Sequence, residues 1–181
     1  MEATTDGPRR VARKPRVREW VRVREARETD VEEMAELLGY LFKQEADFSP
    51  APAKQRRALE LLMAQPTLGR LFVLTRGAKI LGMVSLLFTV STAEGGKVAW
   101  LEDLIVRPDQ RGKGLGTRLL RSAIEWARRE GLTRITLLTD GDNARARRLY
   151  SRHGFSVSAM QPLRLHLGRR SNIQFPSLST A

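Results

Sequence analysis

Two adjacent carboxylates, Glu102 and Asp103, lie inside the apolar run "VAWLEDLIV", where an acidic side chain needs either water or a partner. Neighbouring side chains on a strand point to opposite faces of the sheet, so we expect these two acids to face opposite sides. A carboxylate beside a ligand can accept a proton or hold a cation. The alternative is structural, with one or both acids at a sheet edge or paired with an arginine.

A basic turn, "QRGKGLG", follows three residues after this run and leads into a helix. Glycine allows the backbone to turn tightly, and unblocked N–H groups at a helix start bind phosphate well. The turn lacks the GK[ST] ending of a Walker A loop, and its spacing differs from GxGxxG. It therefore predicts an anion site, and the alternative is a tight connection between a strand and a helix.

The distribution of charge agrees with an anion site at this turn. The chain of 181 residues has a net charge of +12. Residues 107–134 hold eight basic and three acidic side chains, whereas residues 25–60 hold nine acidic and five basic ones. A basic turn suits an anionic ligand, and an acidic segment suits a cationic one. Solvated helix faces are the alternative explanation.

The surrounding pattern predicts the elements that position these residues. Strand and helix periodicity gives the order βααβββαβαβ, an α/β fold with a mixed sheet. The predicted elements are, in order, "WVRVREA", "TDVEEMAELLGYLF", "AKQRRALELLMAQ", "RLFVLTR", "KILGMVSLLFTV", "KVAWLEDLIV", "GLGTRLLRSAIEWARRE", "RITLLT", "NARARRLYSRH" and a closing "GFSVSAMQPLRLHL" of one or two strands. The strand–helix–strand unit at residues 98–139 predicts a parallel pair, and ligands bind outside the carboxyl ends of such strands.

Composition narrows the class of protein. The length suits one domain, which we place at residues 18–167 between a basic, disordered tail (1–17) and a flexible tail (168–181). There is no cysteine, hence no disulfide and no thiolate, and two isolated histidines do not make a metal site. No apolar run is long enough to span a membrane, so we expect a cytoplasmic protein. No aromatic residue or recognition motif interleaves with the basic tail, so nucleic acid is not an expected partner.

Two motifs make the family resemblance specific. The turn resembles the acetyl-CoA signature R/Q-x-x-G-x-G/A of the GNAT (Gcn5-related N-acetyltransferase) superfamily, with Arg111, Gly114 and Gly116 at its three fixed positions. Downstream, "NARARRLYSRHGF" resembles the second signature of that family through Asn143, Ala146, Tyr150, Gly154 and Phe155. The element order of the family also fits from about residue 21 to residue 167.

The resemblance implies acetyl-CoA as co-substrate and a mostly antiparallel sheet that splays between its fourth and fifth strands. The main chain of the turn would hold the CoA diphosphate through Arg111, Gly112, Lys113, Gly114, Leu115, Gly116 and Thr117. The pantetheine arm would pair with the strand at Leu104, Ile105 and Val106, and Asn143 would hydrogen-bond to it.

The same resemblance implies an acetyl transfer by direct attack in a ternary complex. Glu102 is the candidate base and Tyr150 the candidate acid, with a core aromatic as the alternative role of Tyr150. "LEDLIV" also resembles the diamine (polyamine) branch of the family, in which the first acid is the proposed base and the second contacts the substrate amine. Dimers are frequent in this family, so a homodimer is one expectation.

Acceptor groups in this family come from the first two helices and their loop. Besides Asp103, Glu45 and Asp47 could hold an ammonium group, while Tyr40, Phe42 and Phe48 could contact its carbon chain. We therefore expect a small cationic amine, such as a polyamine or an aminoglycoside. Two alternatives stay open, an acetyltransferase acting on protein lysines or N-termini and a CoA-binding module without turnover.

Overall fold

A computed structural model describes residues 20–44 and 49–165 of the chain. Internal contacts divide the chain into two compact units, which meet at the bond between Asn143 and Ala144. The first unit contains β1 (Val21–Glu25), α1 (Val31–Phe42), α2 (Pro52–Ala64), β2 (Gly69–Arg76), β3 (Lys79–Ser91), β4 (Gly96–Val106), α3 (Leu115–Arg129) and β5 (Ile135–Leu137), with short 3₁₀ turns at Glu28–Asp30 and Pro108–Gln110. The second unit contains α4 (Ala144–Ser151).

The five strands form one sheet in the order β1-β2-β3-β4-β5. All neighbours are antiparallel except β4 and β5, which are parallel, so the predicted mixed and mostly antiparallel sheet is confirmed. The parallel ladder joins only three residue pairs and ends at Leu101 opposite Leu137. Strand β4 continues for five more residues, to Val106, without a described partner on that side. The two strands therefore part where the splay was predicted.

Both faces of the sheet are covered, which explains the nearly continuous apolar runs of β2 and β3. On one face Leu71 and Val73 belong to a buried cluster with Met34 and Leu37 of α1 and Leu59 of α2. On the other face the ring of Trp126 in α3 lies edge-to-face with Phe72 and stacked on Phe88, at centroid distances of 5.5 and 5.8 Å. Alternate residues of one strand thus anchor helices on opposite faces.

Arg107 ties α1 to the strands that carry the predicted site. Its side chain is buried, and its Nε donates to the carbonyl of Ile80 at 2.7 Å. Its Nη2 contacts Glu36 at 2.8 Å and Glu33 at 3.4 Å, both on α1. The guanidinium lowers the pKa of Glu36 by hydrogen bonding and charge. Arg107 is one of the eight basic residues at 107–134 that the sequence analysis associates with an anion site, but its side chain binds Glu33 and Glu36 of α1 instead.

The predicted closing strands are not formed in the described part of their segment. Residues 155–165 contain no strand, and 166–167 lie outside the described residues. Val157, Met160 and Leu163 are at least 85% exposed. Alternation of apolar residues gives a strand its propensity, but a strand also needs a neighbouring backbone and a buried face.

We predict that Gly82→Ala destabilises the β3–β4 pairing. A Cβ at Gly82 would lie 2.6 Å from the carbonyl oxygen of Ile105, and a backbone atom cannot move aside cheaply. Overpacking of this kind costs about 1–3 kcal/mol of unfolding free energy, measured by urea titration. Gly39→Ala is the control, because a Cβ there meets nothing within 4 Å and should stabilise α1 by about 1 kcal/mol. Equal midpoints for Gly82→Ala and the wild type would contradict the prediction.

Candidate active site

A β-bulge in β4 brings the two acids to one cavity. Met83 pairs with Ile105 and Ser85 pairs with Glu102, so β3 advances two residues while β4 advances three. Asp103 occupies the extra position with a φ of +54°, the one positive φ outside glycine in the described chain. Aspartate tolerates this left-handed region better than most residues do. The expectation that the two acids face opposite sides was therefore wrong, because a bulge interrupts the strand's alternation.

The cavity has a volume of about 280 Å³ and lies between α1, α2, β3 and β4. Apolar side chains form most of its wall, and four polar side chains interrupt it. The apolar group is Leu38, Phe42, Ala58, Leu62 and Leu87, and the polar group is Lys54, Gln55, Glu102 and Asp103. Ligand sites commonly combine an apolar wall with a few convergent polar groups.

Asp103 is an ionisable group of this cavity with a raised pKa. The net result of three effects is a pKa of about 6: burial raises it most, the charge of Glu102 also raises it, and a hydrogen bond from Ser85 lowers it. The Oγ of fully buried Ser85 lies 3.0 Å from Oδ2 of Asp103 and 3.0 Å from the carbonyl oxygen of Glu102. The Ser85 hydroxyl can donate its single hydrogen to only one of these two oxygens at a time. If Asp103 is protonated, its carboxyl can donate to the Ser85 oxygen while the Ser85 hydroxyl donates to the carbonyl of Glu102, so both contacts are hydrogen bonds.

The Gly-rich turn leaves the start of α3 open to a ligand. Gly114 occupies the N-cap position with a φ of +73°, and no side chain caps the helix. The main-chain N–H groups of Leu115, Gly116 and Thr117 therefore lack partners within the helix, as at any helix start. A Cβ at Gly112 or Gly114 would meet nothing within 4 Å. This uncapped start of a 15-residue helix fits the diphosphate of acetyl-CoA.

The cations of the turn are held by local contacts. Arg111 donates through Nε to the carbonyl of Val106 at 3.0 Å and through Nη1 to Gln44 at 2.9 Å. The ammonium of Lys113 contacts the side chain of Gln110 at 3.0 Å. Leu104, Ile105 and Val106 form the end of β4 beyond its ladder with β5. Only three residues, 107–109, separate this strand end from the turn.

The remaining predicted residues divide into three groups. Phe42 lines the cavity, whereas Tyr40, on the same helix, directs its hydroxyl to Glu36 at 3.3 Å and is not among the described lining residues. Glu45, Asp47 and Phe48 lie outside the described residues.

The last group belongs to the second signature. The backbone N–H of Asn143 donates to Asp140 at 3.1 Å, immediately before α4 begins. Tyr150 lies within α4, its ring edge-to-face with Phe155 at 5.7 Å.

Sequence reasoning missed Lys54, Gln55 and Ser85. A serine inside the apolar strand "KILGMVSLLFTV" is itself a signal, because a buried hydroxyl needs a partner. Lys54 and Gln55 follow a proline at the start of a predicted helix, which places them in its first turn. Nothing in their own pattern distinguishes them from solvent-exposed helix residues.

The model of the Acetyltransferase (GNAT) family matches residues 20–155. The uncharacterized N-acetyltransferase YhfO of Bacillus subtilis is 29% identical over 141 residues, which cover 74% of this chain and 88% of that protein. An L-methionine sulfoximine/L-methionine sulfone acetyltransferase of Pseudomonas aeruginosa is 41% identical over 69 residues, 38% of this chain and 40% of that one. A predicted acetyltransferase of Clostridium acetobutylicum, crystallised with acetyl-CoA, shares the fold with a TM-score of 0.68 and 18% identity, covering 82% and 97% of the two chains.

The raised pKa of Asp103 predicts that Asp103→Asn stabilises the protein at neutral pH. The folded state holds the proton more tightly than the unfolded state, whose pKa is near 3.8, so this group's contribution to stability falls as pH rises from about 4 to about 6. Asparagine avoids that penalty and tolerates the same φ. The gain in unfolding free energy should be absent near pH 4, grow up to pH 6 and level off, with an upper limit of about 3 kcal/mol.

Urea titrations at pH 4, 6 and 8 measure the gain, with exposed Asp109→Asn as the control. The pKa of Asp109 is lowered, chiefly by a hydrogen bond from Gln110, so its replacement should not stabilise the protein at any of these pH values. A gain for Asp103→Asn that does not change with pH would contradict the assignment.

Proposed function

Because the chain belongs to the Acetyltransferase (GNAT) family, whose members use acetyl-CoA for N-acetylation, we propose that it acetylates the primary amine of a small molecule bound in the described cavity. The observation that carries the proposal is the cavity itself, where the bulge of β4 presents Glu102 and Asp103 beside the strand end that parts from β5. A volume of about 280 Å³ suits a small acceptor better than a polypeptide.

The Gly-rich turn is the proposed site of the CoA diphosphate. Uncapped N–H groups and the positive end of the α3 dipole favour an anion there. The strand end at Leu104, Ile105 and Val106 would pair with the pantetheine arm, as would the side chain of Asn143. Bound acetyl-CoA supplies an activated acetyl thioester. The protein must then deliver a neutral amine to it and protonate the departing sulfur.

The acid pair is proposed to bind the acceptor as an ammonium ion and to remove its proton. An alkyl ammonium with a pKa near 10.4 is neutral in only about one part per thousand at pH 7.4, a handicap of about 4 kcal/mol. Glu102 is the proposed base, with Asp103 contacting the ammonium. Asp103 is a second candidate base because a carboxylate with a pKa of about 6 is better matched to neutral pH.

Tyr150 of α4 is the proposed acid. A phenol with a pKa near 10 can give its proton to a thiolate, whose conjugate acid has a pKa near 8.5, at a cost of about 2 kcal/mol. The transfer needs no covalent enzyme intermediate, so the acceptor amine would attack directly in a ternary complex. Membership of the diamine branch, the cytoplasmic location and the homodimer stay predictions from the sequence.

We predict that acetyl-CoA raises the melting temperature and that Gly114→Glu removes this shift. A carboxylate at the start of α3 would repel the diphosphate and block the N–H groups. Gly95→Glu is a matched control, because Gly95 also has a positive φ, of 64°, and a Cβ there also meets nothing within 4 Å. It lies in the β3–β4 turn, away from the proposed site. Equal ligand-induced shifts for both variants would contradict the binding mode.

The pH dependence of kcat/KM decides which carboxylate is the base. Loss of the base should lower kcat/KM at least about a hundredfold at neutral pH and remove the fall in rate at acidic pH. We expect this result for Glu102→Gln, with Asp103→Asn chiefly raising the KM of the amine. The reverse pattern, with an acidic limb near pH 6 that disappears in Asp103→Asn, would transfer the role to Asp103.

Tyr150→Phe should lower kcat at least about tenfold while leaving the Kd of acetyl-CoA within about twofold, because only the transferred proton is lost. Stopped-flow turnover and calorimetry measure the two quantities separately. Unchanged kcat would remove Tyr150 from the mechanism.

A further inference from the structure

The cavity has walls of opposite charge. One wall, from β4, carries the carboxylates of Glu102 and Asp103. The other wall, from the first turn of α2, carries Lys54 and Gln55, which we call the donor wall. A lysine on the wall of the cavity would repel a ligand whose only charged groups are ammonium groups, because like charges repel.

Lys54 is available to a ligand. Its side chain is exposed and lines the cavity. No ion pair joins its ammonium to Glu102 or Asp103, and none joins it to any other acidic residue in ranges 20–44 and 49–165. A lysine that lines the cavity without an acidic partner in those ranges attracts an anionic group of the ligand.

Gln55 is a second donor on the same wall. It is only 8% exposed, and its Oε1 accepts the backbone N–H of Ala51 at 2.9 Å. Because Oε1 accepts this hydrogen bond, the orientation of the amide is fixed, and its NH₂ group is the part that can donate to a ligand. Among the described residues its Nε2 has no hydrogen-bond partner. A donor on the wall of a cavity that has no protein partner among the described residues can bind an acceptor that the ligand supplies.

The start of α2 adds to the same preference. Pro52 occupies the first turn, and no side chain caps this 13-residue helix. The positive end of its dipole therefore lies on the donor wall and favours negative charge. Lys54, Gln55 and the start of α2 therefore all favour an anionic group of the ligand. The carboxylates on the β4 wall favour a cationic group.

We propose that the acceptor is a zwitterion, an amino acid whose ammonium is held by Glu102 and Asp103 and whose carboxylate is held by Lys54 and Gln55. The inference rests on the proposed acetyl transfer and names its substrate class. The apolar side chains between the two walls, such as Leu38, Leu62 and Leu87, would contact the carbon skeleton. A polyamine would instead bring a second ammonium to Lys54 and lose the hydrogen bond to Gln55.

The transfer balances with the groups already described. The ammonium gives one proton to a carboxylate of β4, and the neutral nitrogen forms the C–N bond as the C–S bond of the thioester breaks. The sulfur leaves as CoA thiolate and receives a proton from the proposed acid. The nitrogen loses its second proton to solvent, and the product is an N-acetyl amino acid with its carboxylate unchanged.

A comparison of matched acceptors measures how much the carboxylate of the acceptor contributes to kcat/KM. The panel contains L-α-amino acids and ω-amino acids of two to six carbons, each tested beside the amine that lacks the carboxylate and beside the diamine of equal length. We expect kcat/KM at least about tenfold higher for the preferred amino acid than for either partner. Preference for the diamine, or equal values for all three, would overturn the proposal and leave the acetyl transfer intact. If acetyl-CoA binds and no amine is acetylated, both proposals fall.

Variants of α2 test the donor wall directly. The measured quantity is the ratio of kcat/KM for the amino acid to kcat/KM for the amine without its carboxylate. This ratio should fall about tenfold in Lys54→Met, which keeps most of the length of the side chain and removes its charge. It should be unchanged in Arg57→Met, because exposed Arg57 lies on the same helix and is not among the described lining residues. A ratio that falls equally in both variants, or in neither, would overturn the role of Lys54.

Discussion

The early end of the ladder between β4 and β5 is the constraint on which the candidate site depends. Backbone groups of a strand need partners, and β4 loses its partner on one side after Leu101 while it continues to Val106. That stretch can therefore pair with an extended ligand. The bulge at Asp103 lies in the same stretch, so both carboxylates line the cavity within the segment that is proposed to hold the acetyl donor. These two departures from a regular sheet thus lie in one segment, beside both proposed substrate sites.

Contacts outside this segment hold it in position. Arg107, directly after β4, is buried against the carbonyl of Ile80 and pairs with two glutamates of α1. The two glutamates stay 40% and 50% exposed, so these contacts position Arg107 without burying a complete ion pair. On the opposite face, Trp126 contacts Phe72 and Phe88, which fixes α3 and the Gly-rich turn at its start.

Much of this arrangement could be predicted from the sequence, and the exceptions have physical causes. Periodicity predicted the five observed strands and the helices between them, and the Gly-rich turn predicted a helix start with unblocked N–H groups, because these are local patterns. The shared cavity of Glu102 and Asp103 could not be predicted, since a bulge depends on the register between two strands. Lys54 and Gln55 were missed because their proposed role depends on α2 and β4 lining the same cavity, which local sequence patterns do not show. The closing strands were overpredicted, since alternation alone does not supply a neighbouring strand.

The central claim is that acetyl-CoA is held by main-chain N–H groups at the end of β4 and the start of α3. Hydrogen–deuterium exchange with and without acetyl-CoA measures this most directly, because it reports the amides themselves. Slower exchange concentrated in residues 104–106 and 111–117, with β1 unchanged, is the result that the account predicts. Protection spread evenly over the first unit, or concentrated away from these two segments, would contradict it.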